Sequence, residues 1–168
     1  MGAHNFTDYI LGTDVREAYD RAVDDAVAEY GSSSNNGTIS TTDGYLVLSD
    51  TPLPLQEAID QHRTLWDREP RIEKRGYCGA IPVLDTKRRV AAPIPATPGG
   101  YSTRPQAVEA ALASLIQQGE HIADFARDVQ GGFVYDEAGR ITSGSVTVTL
   151  TGTQLVHAGW LFFGWAAS

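Results

Sequence analysis

The most regular hydrophobic pattern in the chain predicts a helix from about Asp14 to Tyr30. Thr13 is a good N-cap for this helix, and Gly31 is a natural residue just beyond its C-terminus. Its apolar side chains recur at helical spacing, which places them on one face. They are Val15, Ala18, Tyr19, Ala22, Val23, Ala26, Val27 and Tyr30.

Two further helices are predicted from similar but less regular patterns. One covers residues 53–67, and Pro70 blocks its continuation because proline cannot donate the helical hydrogen bond. The other covers residues 104–129, with Gly119 as an interruption that indicates a kink or a break. The pair Gly131–Gly132 is expected to end this long helix.

Most of the remaining segments have the patterns of strands, with alternating apolar and polar residues or with β-branched and aromatic runs. Residues 4–11 form the first strand, in which Asp8 interrupts the apolar face. An Asp-Gly turn predicts a hairpin between strands at residues 37–40 and 45–48. Further strands are predicted at residues 76–84, 89–94, 133–136, 140–142, 145–151 and 155–166.

Together these elements predict one α+β domain over residues 1–168. Strands joined by hairpins are more frequent than strands joined by helices, so α+β is favoured over α/β. The expected architecture is a mixed, largely antiparallel sheet of about seven to nine strands, packed with the three helices.

Charge narrows the range of partners. The net charge of −8 argues against general binding to nucleic acid or to an anionic membrane, because both surfaces are negative. The charge is uneven, since residues 1–60 carry a net −9 and residues 61–104 a net +5. This basic middle segment indicates either a local anion site or an ordinary solvated face. Arginine outnumbers lysine 11 to 2, a bias typical of GC-rich genomes.

Cysteine usage and the N-terminal residues favour a cytoplasmic location. Cys78 is the single cysteine, so no disulfide can form within the chain. The N-terminal residues lack the charged and apolar regions of a signal peptide, and the longest apolar run is too short for a membrane span. We expect Cys78 to be buried and inert. The four histidines have no metal-binding spacing, so we predict neither a metal nor a cofactor.

The first candidate site is the basic stretch that leads through a glycine turn into the third predicted helix. Backbone N–H groups and the positive end of the helix dipole would face a bound anion there. Guanidinium forks, hydroxyl donors and a tyrosine ring for stacking would complete the site. Its residues are Lys87, Arg88, Arg89, Tyr101, Ser102, Thr103 and Arg104. The alternative interpretation is an ordinary capped helix behind a surface loop.

Three parts of the chain resemble a group of small proteins from actinobacteria and their phages. They are the N-terminal region with Met1–Phe6, Glu29–Gly31 and Asn36–Ile39, the middle segment Lys74–Ile81, and the C-terminal segment Phe162–Ser168. The resemblance implies no activity, but it implies a phage or mobile-element source and therefore the host cytoplasm as location. Polar residues inside these segments form a second candidate cluster, consisting of His4, Asn36, Thr38 and Lys74.

These observations favour a non-enzymatic accessory protein that sequesters a small anionic, nucleotide-like ligand or binds a host protein, for example against a host defence. One alternative is inhibition of a host protein through the acidic face of the first helix. Another is a small hydrolase or transferase for a phosphate-containing substrate, although no nucleophile or base is evident. A homo-oligomeric structural or accessory protein is a further alternative. The acidic side chains of the helix are Asp14, Glu17, Asp20, Asp24 and Asp25.

Overall fold

The helical and alternating patterns produce an α+β fold with a mixed open sheet, which confirms the predicted class. The computed structural model describes residues 2–168; Met1, the first residue of the N-terminal resemblance, lies outside them. Across residues 2–168 there are six strands and four helices, so we predicted slightly too many strands and too few helices. The strands are β1 (Ala3–Leu11), β2 (Tyr45–Val47), β3 (Leu53–Pro54), β4 (Cys78–Pro93), β5 (Val129–Tyr135) and β6 (Ile141–Ala167). The helices are α1 (Val15–Tyr30), α2 (Leu55–Arg68), α3 (Arg104–Leu112) and α4 (Phe125–Asp128).

The sheet has the order β1-β6-β4-β2, with β3 also paired to β4 and β5 to β6. Both β1 and β5 run antiparallel to β6, whereas β2 and β3 run parallel to β4. β4 and β6 run in opposite directions, because Thr86 lies beside Gly152 while Ile94, further along the chain, bonds to the earlier residue Gly144. Because β1 is the first strand in this order and pairs only with β6 among residues 2–168, it is an end strand of the sheet.

The chain forms two compact units. One contains the chain up to Asp85 together with Leu155–Ser168, and the other is Thr86–Gln154. In the first unit, neighbouring residues of β6 point to opposite faces of the sheet. Phe162 packs on one face with Ala18 and Ala22 of α1, and Phe163 packs on the other face with Ala58 of α2. Burial of each such aromatic side chain contributes roughly 1.5–3 kcal/mol to stability.

α1 follows the sequence pattern closely. Three alanines of the predicted stripe, Ala18, Ala22 and Ala26, are its buried residues and allow the helix to lie close to the sheet. Asp14, rather than the predicted Thr13, is the N-cap, because its side chain accepts a hydrogen bond from the Glu17 N–H at 2.9 Å.

The second unit has its own hydrophobic core. Residues of α3 pack against the alternating residues of β6, with further side chains from β4. The buried members on α3 are Ala107, Val108, Ala111 and Leu112, and those on β6 are Ile141, Val146, Val148 and Leu150. The alternation predicted for residues 145–151 therefore places the valines and leucine inside, as expected for a half-buried strand.

The predicted helix over residues 104–129 is correct at its start and wrong in its second half. α3 ends at Leu112, and α4 begins only at Phe125. Gly119 between them has a φ of 83°, a left-handed conformation that breaks the helical path. Gly131–Gly132, expected to stop the helix, instead lies inside β5.

The predicted hairpin over residues 37–48 is also wrong. Ile39–Thr41 forms a 3₁₀ turn that begins at Thr38, whose hydroxyl accepts a hydrogen bond from the Ser40 N–H. Local hydroxyl-to-backbone bonds of this kind compete with strand pairing. β2 then pairs with β4 across the sheet instead of with a local partner.

Strands that we predicted as separate are continuous in the structure. β4 joins the segments predicted at residues 76–84 and 89–94 except for their outermost residues, and the 27-residue β6 joins the three segments predicted at residues 140–142, 145–151 and 155–166 except for residue 140. The polar residues between these segments are accommodated within the strands, so they are not turns. The strand count falls for this reason.

Candidate functional site

The basic candidate residues of β4 are placed in the second unit, where Arg88 has protein partners. Its guanidinium donates to the Glu120 carboxylate at 2.6 and 2.8 Å and to the Leu115 carbonyl at 2.6 Å. Lys87 is exposed and Arg89 is partly buried on the same strand. The Glu120 side chain is only 8% exposed, so this ion pair is largely shielded from water.

The other candidate residues of this segment also make internal contacts. The Tyr101 hydroxyl donates to the Pro95 carbonyl at 2.8 Å, and the Ser102 hydroxyl donates to the Gln106 side-chain oxygen at 2.6 Å. Thr103 caps α3, and Arg104 donates to the Tyr135 hydroxyl at 2.9 Å. An anion bound here would compete with these contacts.

The shielded ion pair gives a stability prediction for Arg88. Its hydrogen bonds hold the pKa of Glu120 below the usual glutamate value of 4.5. A lowered folded-state pKa contributes stability above the unfolded-state value, and this contribution is lost as the pH falls through the folded-state value. We expect Arg88→Met to lower the free energy of unfolding by about 1–3 kcal/mol at pH 7, because a largely buried carboxylate loses its charged partner.

Urea denaturation from pH 7 down to acid conditions measures this effect. The difference between Arg88→Met and the unchanged protein should shrink once the pH falls below the ordinary glutamate range. The control is Arg16→Met, which removes a 3.9 Å pair with Asp20 whose side chains are 83% and 63% exposed. It should change stability by less than about 0.5 kcal/mol. A pH-independent Arg88→Met effect would contradict this role of the ion pair.

The structure brings together most of the second candidate cluster. The Asn36 carbonyl oxygen accepts from the Thr38 hydroxyl at 2.8 Å, and the Asn36 amide donates to Ser40 at 2.7 Å. His4 on β1 lies beside this turn, since a Cβ placed on Gly37 would be 3.7 Å from His4 Cδ2. Lys74 is partly buried in the loop after α2.

Asn36 and Thr38 also line a groove in the first unit that the sequence did not reveal. We call it the β1–α1 groove; it runs between Phe6–Ile10 of β1 and the side of α1 that carries Asp25, Glu29 and Tyr30. Its volume is about 570 Å³. It joins part of the second candidate cluster to two acidic residues of α1, Asp25 and Glu29.

The β1–α1 groove is negatively charged. Asp8, Asp25 and Glu29 contribute carboxylates, and none of the described residues that line the groove is basic. Burial raises the pKa of Asp8 above its usual value, and the Glu29 carboxylate raises the pKa of the neighbouring Tyr30 hydroxyl. The sequence had singled out four of its lining residues, Asp8 as a charged residue on the apolar face of the first strand and Asp25, Asn36 and Thr38 as candidates, but it had not placed them together.

A second groove lies on the opposite face of β1 in the same unit. This β1–α2 groove has a volume of about 840 Å³ and is lined by Asn5 and Thr7 of β1, Trp165 of β6, and one side of α2. Its α2 residues are Ile59, His62, Arg63, Trp66 and Asp67. The rings of Trp66 and Trp165 meet edge to face with centroids 5.2 Å apart, which gives this groove an aromatic floor.

His62 and Cys78 are the side chains in the first unit with the greatest potential for catalysis. The His62 Nδ1–H donates to the Ile59 carbonyl within α2, and its ring packs against Phe163. Burial raises the pKa of the Cys78 thiol to about 12, so the thiol stays protonated at neutral pH. Neither environment is that of an activated nucleophile or base.

Residues 2–168 contain neither a ready-made metal site nor a helix that could span a membrane. No group of three or more His, Cys, Asp or Glu side chains among them is arranged to hold a metal ion. None of the helices in this part of the chain is both long enough and apolar enough to cross a membrane. Comparison of the chain with protein-family models, curated proteins and solved structures finds no match.

Proposed function

We propose that this protein is a non-enzymatic binding protein that holds a basic segment of a partner protein in the β1–α1 groove. The observation that supports this most directly is an end strand of the sheet beside a groove with three carboxylates and, among residues 2–168, no basic lining residue. In line with the resemblance of its terminal segments, it would act as an accessory protein of a phage or mobile element. Its partner would then be a host protein in the host cytoplasm.

Charge supports a partner protein over an anionic ligand in this groove. Residues 1–60, which include β1 and α1, carry a net −9. A negative surface of this kind attracts cationic segments and raises their association rate, and it repels anions. The groove narrows the acidic-helix hypothesis to one part of α1. Of the five acidic residues in that hypothesis, Asp25 lines the groove, Asp14 caps α1, and the other three lie outside the groove.

The proposal predicts that neutralising two groove carboxylates weakens binding of a basic peptide. The probe is a fluorescently labelled peptide with equal numbers of lysine and leucine residues, titrated by fluorescence anisotropy. We expect Asp25→Asn with Glu29→Gln to weaken its binding by about tenfold at low salt and by less at high salt.

A second double variant, Glu17→Gln with Asp24→Asn, removes the same charge from α1 outside the groove and is the matched control. It should weaken binding less, because neither Glu17 nor Asp24 lines the groove, and exposed charges that make no direct contact with the bound segment contribute little to its affinity. Equal weakening by the two double variants would show general charge attraction and would overturn the site. A glutamate–leucine peptide should not bind.

The anionic-ligand hypothesis for residues 87–104 is the second candidate function. The observation in its favour is that two guanidinium groups lie around the start of α3, since Arg140 donates to the carbonyls of Gly99 and Gly100 just before Arg104 begins the helix. A thermal-shift screen with cyclic and linear nucleotides tests it. A binder should raise the melting temperature at millimolar ligand, and no shift would remove the hypothesis.

A further inference from the structure

The pairing of β1 with β6 determines which backbone N–H and C=O groups of β1 point outward from the sheet. In an antiparallel pair, alternate residues direct their N–H and C=O groups toward the partner strand. The Gly12 N–H donates to the Ala158 carbonyl and the Ser168 N–H to the Gly2 carbonyl, so even-numbered residues of β1 face β6. The odd-numbered residues Asn5, Thr7 and Tyr9 therefore direct their backbone groups away from β6.

Leu11 confirms this assignment. It is odd-numbered, and its carbonyl accepts a hydrogen bond from the Arg21 side chain rather than from β6. No other strand among residues 2–168 pairs with this side of β1. Because an unpaired strand edge is a template for a further strand, the segment Asn5–Tyr9 can accept an extended chain.

The two grooves lie on the two sides of this edge. Phe6 and Asp8 point to the α1 face and line the β1–α1 groove, while Asn5 lines the β1–α2 groove. Thr7 lies between them and lines both. A strand added at this edge would place alternate side chains in the two grooves, because successive side chains of a strand point to opposite faces.

We propose that the partner segment binds as an added strand along Asn5–Tyr9, with alternating basic and apolar or aromatic residues. This proposal rests on the proposed function and names its binding mode. The basic side chains lie toward Asp25 and Glu29, and the apolar side chains lie toward Trp66 and Trp165. Backbone hydrogen bonds hold the segment in place, and the two grooves select its sequence pattern.

Charge favours such a segment over a second copy of this chain. β1 contains Asp8 and no lysine or arginine. Two β1 edges paired together would bring the acidic grooves of both copies toward each other, and like charges in facing positions are destabilising. The occupant is therefore a basic segment of another protein, and self-association is an outcome of the test.

The first arm of the experiment compares residue order at constant composition. One labelled peptide alternates lysine and leucine, and the other has the same residues in two blocks. Strand addition predicts that the alternating peptide binds at least about tenfold more tightly, because only this order fills both grooves. It also predicts slower hydrogen exchange at the amides of Asn5, Thr7 and Tyr9 when the peptide is bound.

The second arm removes one donor from the edge. Thr7→Pro deletes an outward N–H without removing a bond to β6, which edge strands tolerate, and Thr7→Val keeps the N–H and the side-chain shape. Thr7→Pro should remove the preference for the alternating peptide, and Thr7→Val should retain it. Should Thr7→Pro unfold, an alternating peptide methylated at every second backbone nitrogen removes donors from the ligand instead, and it should bind no better than the block peptide.

The outcomes separate this inference from the proposed function. Equal affinity for both residue orders, with Asp25→Asn and Glu29→Gln still weakening binding, overturns strand addition and leaves the basic-segment site intact. If neither peptide binds, both the strand-addition proposal and the proposed function are overturned. A concentration-dependent dimer of the unchanged protein that is lost in Thr7→Pro shows that the edge serves a second copy, and it also overturns the inference.

Discussion

Phe163→Ala is expected to lower the free energy of unfolding of the first unit by about 3–5 kcal/mol. The side chain is completely buried, and its ring packs against His62 and Trp66 with centroids 5.3 and 6.0 Å away. Its removal leaves a cavity between the sheet and α2. The neighbouring contacts fix the aromatic floor of the β1–α2 groove, so this variant also weakens the packing of Trp66.

Gly79 provides a specific test of this packing. A Cβ at this position would lie 2.6 Å from Cε2 of Phe163, so Gly79→Ala alone should cost about 1–3 kcal/mol through overpacking. In the Phe163→Ala background the added methyl enters the space that the ring has left. There it should be neutral or stabilising, which gives a coupling energy of at least about 1 kcal/mol between the two positions.

Urea denaturation followed by tryptophan fluorescence measures this cycle, because all three tryptophans belong to the first unit. Leu155→Ala in the same strand is the control. Leu155 is 55% exposed, so its truncation should change stability by less than about 0.5 kcal/mol. Additive effects of Gly79→Ala and Phe163→Ala would contradict the contact.

The local parts of this fold were predictable from the sequence, and the reason is physical. The stripe of α1 and the alternation around Val146 depend on neighbours within one helix or strand, so periodicity alone indicates them. Parallel pairing of β2 with β4 depends on residues far apart in the chain, and a local Asp-Gly turn gave the wrong partner. Gly79 shows the same limit, because its partner Phe163 lies far from it in the sequence.

The candidate sites show the same limit of sequence-based prediction. Several residues chosen for their chemistry at residues 87–104 are bonded to groups far along the chain that the sequence could not pair with them, as Arg88 is to Glu120. The two grooves beside β1 depend on its position at the end of the sheet, which requires the strand order. Asp8 was visible in the sequence as a charged residue on an apolar face. That Asp25 and Glu29 line the same groove is evident only once α1 lies beside β1.

Gly131→Ala is expected to lower the free energy of unfolding by about 2–4 kcal/mol, a large effect for one methyl group. The φ of Gly131 is 151°, which L residues rarely adopt. A Cβ there would lie 2.8 Å from Val146 Cα and would also collide with the Ser145 carbonyl oxygen. Both obstacles are backbone atoms of β6, so the clash cannot be relieved by a change of rotamer.

The adjacent residue is the matched control. Gly132 has no positive φ, and a Cβ at this position meets nothing within 4 Å. Gly132→Ala should therefore leave stability unchanged or raise it by up to about 1 kcal/mol, because alanine restricts the unfolded chain. Far-UV circular dichroism during urea denaturation measures both variants, since the second unit contains no tryptophan. Similar costs at both positions would contradict both the positive φ of Gly131 and its close approach to the backbone of β6, which are the two features that distinguish these neighbouring glycines.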